Sequence, residues 1–170
     1  KRRRDRAMQV VIALAGLTVS EAIGLLIHEI GHQVDIDGSI TLTITPEEKH
    51  DTSYEHTTPL PREGVDELRP WLAEREKMVK DIALPGEFVF PANVQGERMT
   101  KKTVYKQIRA TFERAGLDTS RAGGQTLRNT FAKGQLEAGA TPDELKDMLG
   151  LALERSAADY RLTRIKGDPK

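Results

Sequence analysis

Gln125-Thr-Leu-Arg128-Asn-Thr-Phe131-Ala-Lys-Gly-Gln-Leu136-Glu-Ala-Gly139-Ala-Thr141-Pro-Asp-Glu144-Leu-Lys-Asp-Met-Leu149-Gly150-Leu151 is the stretch on which the reading of the chain turns. Leu127, Phe131 and Leu136 recur at helical spacing, so Thr126 to Ala138 is predicted as an amphipathic helix with one inward face. Gly139 ends it. Thr141-Pro-Asp-Glu144 then restarts a helix: the threonine caps, proline takes the first helical position, and the glutamate three residues on reaches back to the cap. This second helix runs to Leu149 and stops at Gly150. Arg128 opens the stretch, and Tyr160 closes it nine residues beyond Leu151.

At 170 residues the chain is long enough to bury one sizeable core, so a single domain accounts for it. It has no cysteine, which excludes disulfides and thiolate metal sites and leaves an intracellular setting as the simplest reading. The apolar run Met8 to Leu17 is too short to span a bilayer and lacks a signal-peptide cleavage pattern, so no membrane partner is expected. Formal net charge is +0, but it is unevenly spread. Gln95 to Lys133 carries nine Lys/Arg against three Asp/Glu, whereas Glu29 to Glu76 carries twelve Asp/Glu against four Lys/Arg. A basic stripe of this kind suits nucleic acid, although Lys101, Lys102, Lys106, Arg109 and Arg114 would also serve as the wet face of a surface helix.

Working outward from the stretch, Thr100 is predicted to cap a basic helix running through Ala115, stopped at Gly116. Pro61 to Lys80 has helical periodicity, with Trp71 as a core residue. Ser39-Ile-Thr-Leu-Thr-Ile-Thr45 alternates like a half-buried strand, and Thr57-Thr-Pro-Leu-Pro61 reads as its returning partner across a polar tip. Residues 5 to 17 suit a helix burying Met8, Val11, Ile12, Leu14 and Ala15, with a second helix from about Ser20. Inside the following segment, His28-Glu29-Ile-Gly-His32 matches the zinc-protease signature, in which two imidazoles one helical turn apart hold the metal and the glutamate activates water. A third ligand would have to come from His50, His56 or a downstream carboxylate, and the protease reading explains nothing after residue 60.

Taken together, Ala15-Gly-Leu-Thr-Val-Ser-Glu21, Thr58-Pro-Leu-Pro61, Phe88-Val-Phe-Pro91, Leu127-Arg-Asn-Thr-Phe-Ala132 and Leu149-Gly-Leu151 followed by Tyr160 resemble, in order, the catalytic domain of the tyrosine recombinases, the phage-integrase family. Gly150 lies 22 residues after Arg128, as in simple family members. The resemblance implies an α+β fold, mainly helical, with a small three-stranded antiparallel sheet. It implies Tyr160 as the phosphorus-attacking nucleophile, Arg128 as a phosphate-binding arginine and Lys49, on the hairpin tip, as general acid. Phe88-Val-Phe-Pro91 should end a strand. Lys101, Lys102, Lys106 and Arg109 should meet backbone phosphates, which positions DNA without reading its sequence. Three family positions are substituted: Thr18 stands for the first catalytic arginine, Gln125 for the histidine of His-x-x-Arg, and Leu151 for the later His or Trp. Asn129 also stands where a histidine is usual.

Tyrosine ionises near pH 10, so attack depends on surrounding positive charge and a base. Losing one preorganised donor costs about 10²–10³ in rate. The resemblance with three such losses therefore predicts a DNA-binding relative, connected with site-specific DNA integration and recombination, whose strand exchange is weak or lost. The alternatives are an integrase still cleaving DNA through a Tyr160 3′-phosphotyrosine and, second, a zinc protease through His28, Glu29 and His32. No cofactor or metal is expected, and the partner is double-stranded DNA. A homo-oligomer on DNA stays open, with ten residues following Tyr160 where family members often carry a longer docking tail. The resemblance places the protein in the cytoplasm, bacterial or phage-derived, at the nucleoid. Residues 1–170 are expected to be the catalytic domain of a longer chain that also carries an N-terminal core-binding domain.

Overall fold

The computed structural model describes residues 2–45, 54–79 and 87–151. Helix α1 (Arg2–Ala15) is the axis of the fold, burying Ala7, Met8, Val11, Ile12 and Ala15 and packing against both α3 (Arg62–Val79) and α5 (Gly124–Glu137). These buried positions fall at the three- and four-residue steps that place side chains on one helical face. Its buried Arg4 donates from Nη1 to the carbonyls of Pro91 and Ala92, each at 2.8 Å, so the charged end of the stripe is satisfied rather than stranded.

Three antiparallel strands, β1 (Ile30–Val34), β2 (Ile40–Ile44) and β3 (His56–Leu60), pair in the order β1-β2-β3. The alternation foreseen for the hairpin is kept: Ile40, Leu42 and Ile44 are buried on β2, and His56, Thr58 and Leu60 on β3. Ile40 pairs with Leu60 and Ile44 with His56. The fold is therefore the α+β arrangement that the resemblance implied, six helices around a three-stranded sheet among the described residues.

One local expectation is sharpened and one is corrected. The second helix, α2 (Val19–Gly24), starts before Ser20 and is capped by Thr18, whose side chain accepts from the Glu21 amide while the Glu21 carboxylate accepts from the Thr18 amide. Phe88 to Pro91 does not end a strand of the sheet. It makes an isolated bridge to Leu26, its amide and carbonyl groups serving Leu25, the Trp71 indole and Arg75. Trp71 is core, 1% exposed.

Helix α4 (Lys101–Arg114) is capped by Thr100 and buries only Val104 and Ile108, leaving its basic side outward. Helix α6 (Pro142–Met148) has the foreseen cap, with Thr141 and Glu144 reciprocally bonded and proline in the first turn. Phe131, Ala132, Leu145 and Leu149 form a second, smaller apolar cluster beside the main core. No helix among the described residues is long and apolar enough to cross a membrane.

Candidate functional site

Arg128 and Thr18 come together at the seam between the two apolar clusters. After α1 the chain turns at Gly16 and enters α2, whose N-terminus rests on that of α5: a side chain at Gly124 would run into Val19. Arg128, 4% exposed, reaches into this seam from α5. Its Nη1 donates to the Gly16 carbonyl at 2.6 Å and to Glu21 Oε2 at 3.2 Å, and its Nη2 donates to the Leu149 carbonyl at 2.9 Å. The same Glu21 oxygen accepts the Thr18 amide at 2.7 Å. One guanidinium thus ties the end of α1, the start of α2 and the end of α6. Both charged side chains of the ion pair are 4% exposed, and such a pair is sustained by further hydrogen bonds, here from Arg128 to two carbonyls and from the Thr18 amide to Glu21.

Just past Leu149, Gly150 has φ of +63°, the left-handed conformation that closes a helix without a side-chain penalty. A Cβ there would also strike the His56 ring, so the imidazole of β3 lies against the glycine. The start of β3 is laced to the end of α6: the Tyr54 amide donates to the Gly150 carbonyl at 3.1 Å, and the Tyr54 hydroxyl donates to Asp147 Oδ1 at 3.2 Å. His56 Nδ1 lies 2.9 Å from the Tyr54 carbonyl. A carbonyl can only accept, so Nδ1 carries the proton. The Tyr54 phenol is pushed above its usual range by burial and by the bond to the Asp147 carboxylate. That direction is opposite to what a nucleophilic phenol needs, so Tyr54 is a tether and not a surrogate for Tyr160.

Thr18 lies in the seam but as a helix cap, linked to Arg128 through Glu21. Gln125 is exposed on the first turn of α5, its Nε2 donating to Asn129 Oδ1 at 2.8 Å. Leu151 is half-buried against the second cluster. Lys101, Lys102, Lys106 and Arg109 are all exposed on α4. Arg109 pairs with Glu113 at 3.2 Å, which holds its guanidinium above the ordinary range, while the three lysines have no ion pair among the described residues. Lys49 and Tyr160 lie outside the described residues.

The zinc alternative loses its geometry. His28 sits in a 3-10 turn (Ile27–Glu29), His32 lies on β1, and the Glu29 carboxylate is turned back to accept the Leu26 amide at 2.8 Å. The helix that would bring the two imidazoles onto one face is absent because Ile30 pairs with Leu42, and at Gly31 a side chain would hit the Thr41 carbonyl. No group of three His, Asp or Glu suited to a metal occurs among the described residues.

Two contributors escaped the sequence reading. Glu21 was legible as a helix-start residue, not as the anion that holds Arg128. His56 was counted only as a spare zinc ligand, although its inward phase on β3 was available from the alternation of the strand.

A model of the Phage integrase family matches residues 1–164. The chain is 29% identical over 154 residues to tyrosine recombinase XerD of Yersinia pestis, covering 86% of this chain and 46% of that protein. To XerD of Pseudomonas aeruginosa it is 30% identical over 147 residues, covering 86% and 45%. In three dimensions it is similar to the XerH site-specific recombinase in its post-cleavage complex with palindromic difH substrate, with a TM-score of 0.78 at 23% identity over 97% of this chain and 44% of that one. The XerA recombinase gives a TM-score of 0.73 at 20% identity over 99% and 63%. The chain therefore spans about half the length of the curated relatives that it matches.

Proposed function

The chain belongs to the phage integrase family, and from that premise we propose that it binds double-stranded DNA through a tyrosine-recombinase catalytic fold whose strand exchange is weak or lost. The observation that carries this reading is the use made of the seam: position 18 holds a helix-capping threonine, and the Arg128 guanidinium is engaged by three protein acceptors. Transition-state charge on a phosphodiester is held by preorganised cations and donors, and this seam supplies few of them. Binding asks for less. Exposed Lys101, Lys102, Lys106 and Arg109 present a row of cations along α4 that suits phosphate contacts.

On this reading residues 1–170 are the catalytic unit of a longer recombinase-like protein with an N-terminal DNA-clamping domain, in keeping with the half-length match to its relatives. It works in the cytoplasm on DNA, and a homo-oligomer would form there if at all. The relative XerH, of the same fold, has been seen holding its difH substrate.

The test is duplex binding by fluorescence anisotropy over a series of salt concentrations, paired with a nicked suicide duplex built on a site selected from random sequence. Wild type should bind with strong salt dependence and trap no covalent adduct. Lys102→Glu with Arg109→Glu should weaken binding across sequences and lower the slope of log affinity against log salt by about two, one for each phosphate contact. A trapped Tyr160 adduct in wild type would instead establish the active-integrase alternative, and salt-insensitive or absent binding would overturn the DNA reading.

A further inference from the structure

We propose that His56 is the imidazole of this cleft: in its doubly protonated form its Nε2–H, together with the Nε–H of Arg128, contacts one phosphate group of the bound DNA. The inference rests on the DNA-binding reading above and adds a residue to it.

The ring is held in place on two sides. Nδ1 is committed to the Tyr54 carbonyl, and one ring edge lies against Gly150, where a Cβ would collide with Nδ1, Cε1 and Cγ. The side chain is 9% exposed, so its orientation is fixed by packing rather than chosen in solvent. Nε2 has no partner among the described residues. Arg128 is in the same condition: Nη1 and Nη2 are used, and Nε has no partner there. Both nitrogens therefore carry a hydrogen-bonding capacity that the described residues leave unused.

The two groups flank a single peptide. Arg128 grips the carbonyl of Leu149, and the imidazole rests on the next residue, Gly150. An anion seated over that peptide meets a charged donor from α5 and an imidazolium Nε2–H donor from β3, neither of which has rotamer freedom left to lose on binding. A partly satisfied, prefixed pair of this kind is a costly feature for a fold unless a ligand completes it. The chain has no imidazole at 125, 129 or 151, and β3 delivers one to the neighbouring backbone.

A packing role and a phosphate role for His56 make opposite predictions for two isosteres. Asparagine places an amide N–H where His Nδ1 was and keeps the bond to the Tyr54 carbonyl, but has nothing at Nε2. Glutamine places its N–H near Nε2. With the whole 170-residue chain and the selected duplex, His56→Ala and His56→Asn should each lose about tenfold in affinity and about one in salt slope, with the neutral His56→Gln recovering much of the affinity but none of the slope. Circular dichroism on each variant checks that the fold is retained. His56→Asn binding like wild type, or His56→Gln binding as poorly as His56→Ala, overturns the proposal. If wild type binds and Lys102→Glu/Arg109→Glu weakens it while every His56 variant binds normally, the imidazole assignment alone is wrong. If wild type does not bind duplex at all, the DNA reading fails and this proposal falls with it.

Discussion

Replacing Arg128 by alanine is expected to destabilise the domain by about 3–5 kcal/mol, the range found when one partner of a buried ion pair is removed. For a domain of this size that corresponds to roughly 6–20 °C in Tm. The magnitude follows from what is left behind. Glu21, 4% exposed at its side chain, would keep the Thr18 and Glu21 capping arrangement but lose its counter-charge, and the Gly16 and Leu149 carbonyls would lose their donor. The three elements would keep their apolar packing, including the close approach of Phe131 and Leu149 to Gly16, but lose the polar tie between them. The double variant Arg128→Met with Glu21→Gln separates the two components. It removes the orphaned charge, so it should be more stable than Arg128→Met alone, and what it fails to recover measures the two carbonyls. Thermal and denaturant unfolding monitored by circular dichroism reads both. An Arg128→Ala protein melting within about 2 °C of wild type would refute the anchoring role, and the engaged-guanidinium argument for weak catalysis would go with it.

The parts of the fold that were legible are those specified locally. Thr100 and Thr141 announce their helices because a cap needs only a hydroxyl and the next three residues. The period-two alternation of β2 and β3 fixes which face is buried, and Trp71 follows from its phase on α3. What was not legible depends on partners distant in sequence. His28 to His32 reads as a metal motif on a helix until Ile30 and Val34 are known to pair with Leu42 and Ile40. Phe88 and Val89 carry strand-like residues, yet their carbonyls go to Arg75 and Trp71 side chains, which no local pattern reveals. The same holds at the site. Arg128 was identifiable from its resemblance to the family motif, but its commitment to Gly16, Glu21 and Leu149 spans up to 112 positions in sequence and is a property of the assembled seam.

The second large effect expected is a gain. Thr18→Arg, Gln125→His and Leu151→His together should produce a covalent Tyr160 adduct on the suicide duplex where wild type produces none. One preorganised donor contributes about 10²–10³ in rate, and donors acting on one phosphate combine non-additively, so single reversions should give little and the triple variant much more. The scaffold can take these changes unequally. Gln125 is exposed, so a histidine there displaces only the bond to Asn129. Thr18→Arg removes a helix cap, at about 1 kcal/mol, and sets a second cation near the Glu21 oxygen that already serves Arg128. Competition for that carboxylate would loosen Arg128 from one protein acceptor and leave it freer for phosphate. Leu151→His exchanges apolar packing at the edge of the second cluster for an imidazole one residue beyond Gly150, against which His56 lies. Adding Tyr160→Phe to the triple variant should abolish the adduct, which assigns the nucleophile. A triple variant that folds and binds DNA normally yet traps nothing would mean that the missing donors are not what limits strand exchange, and that the Tyr160 hydroxyl does not reach the phosphate Arg128 faces.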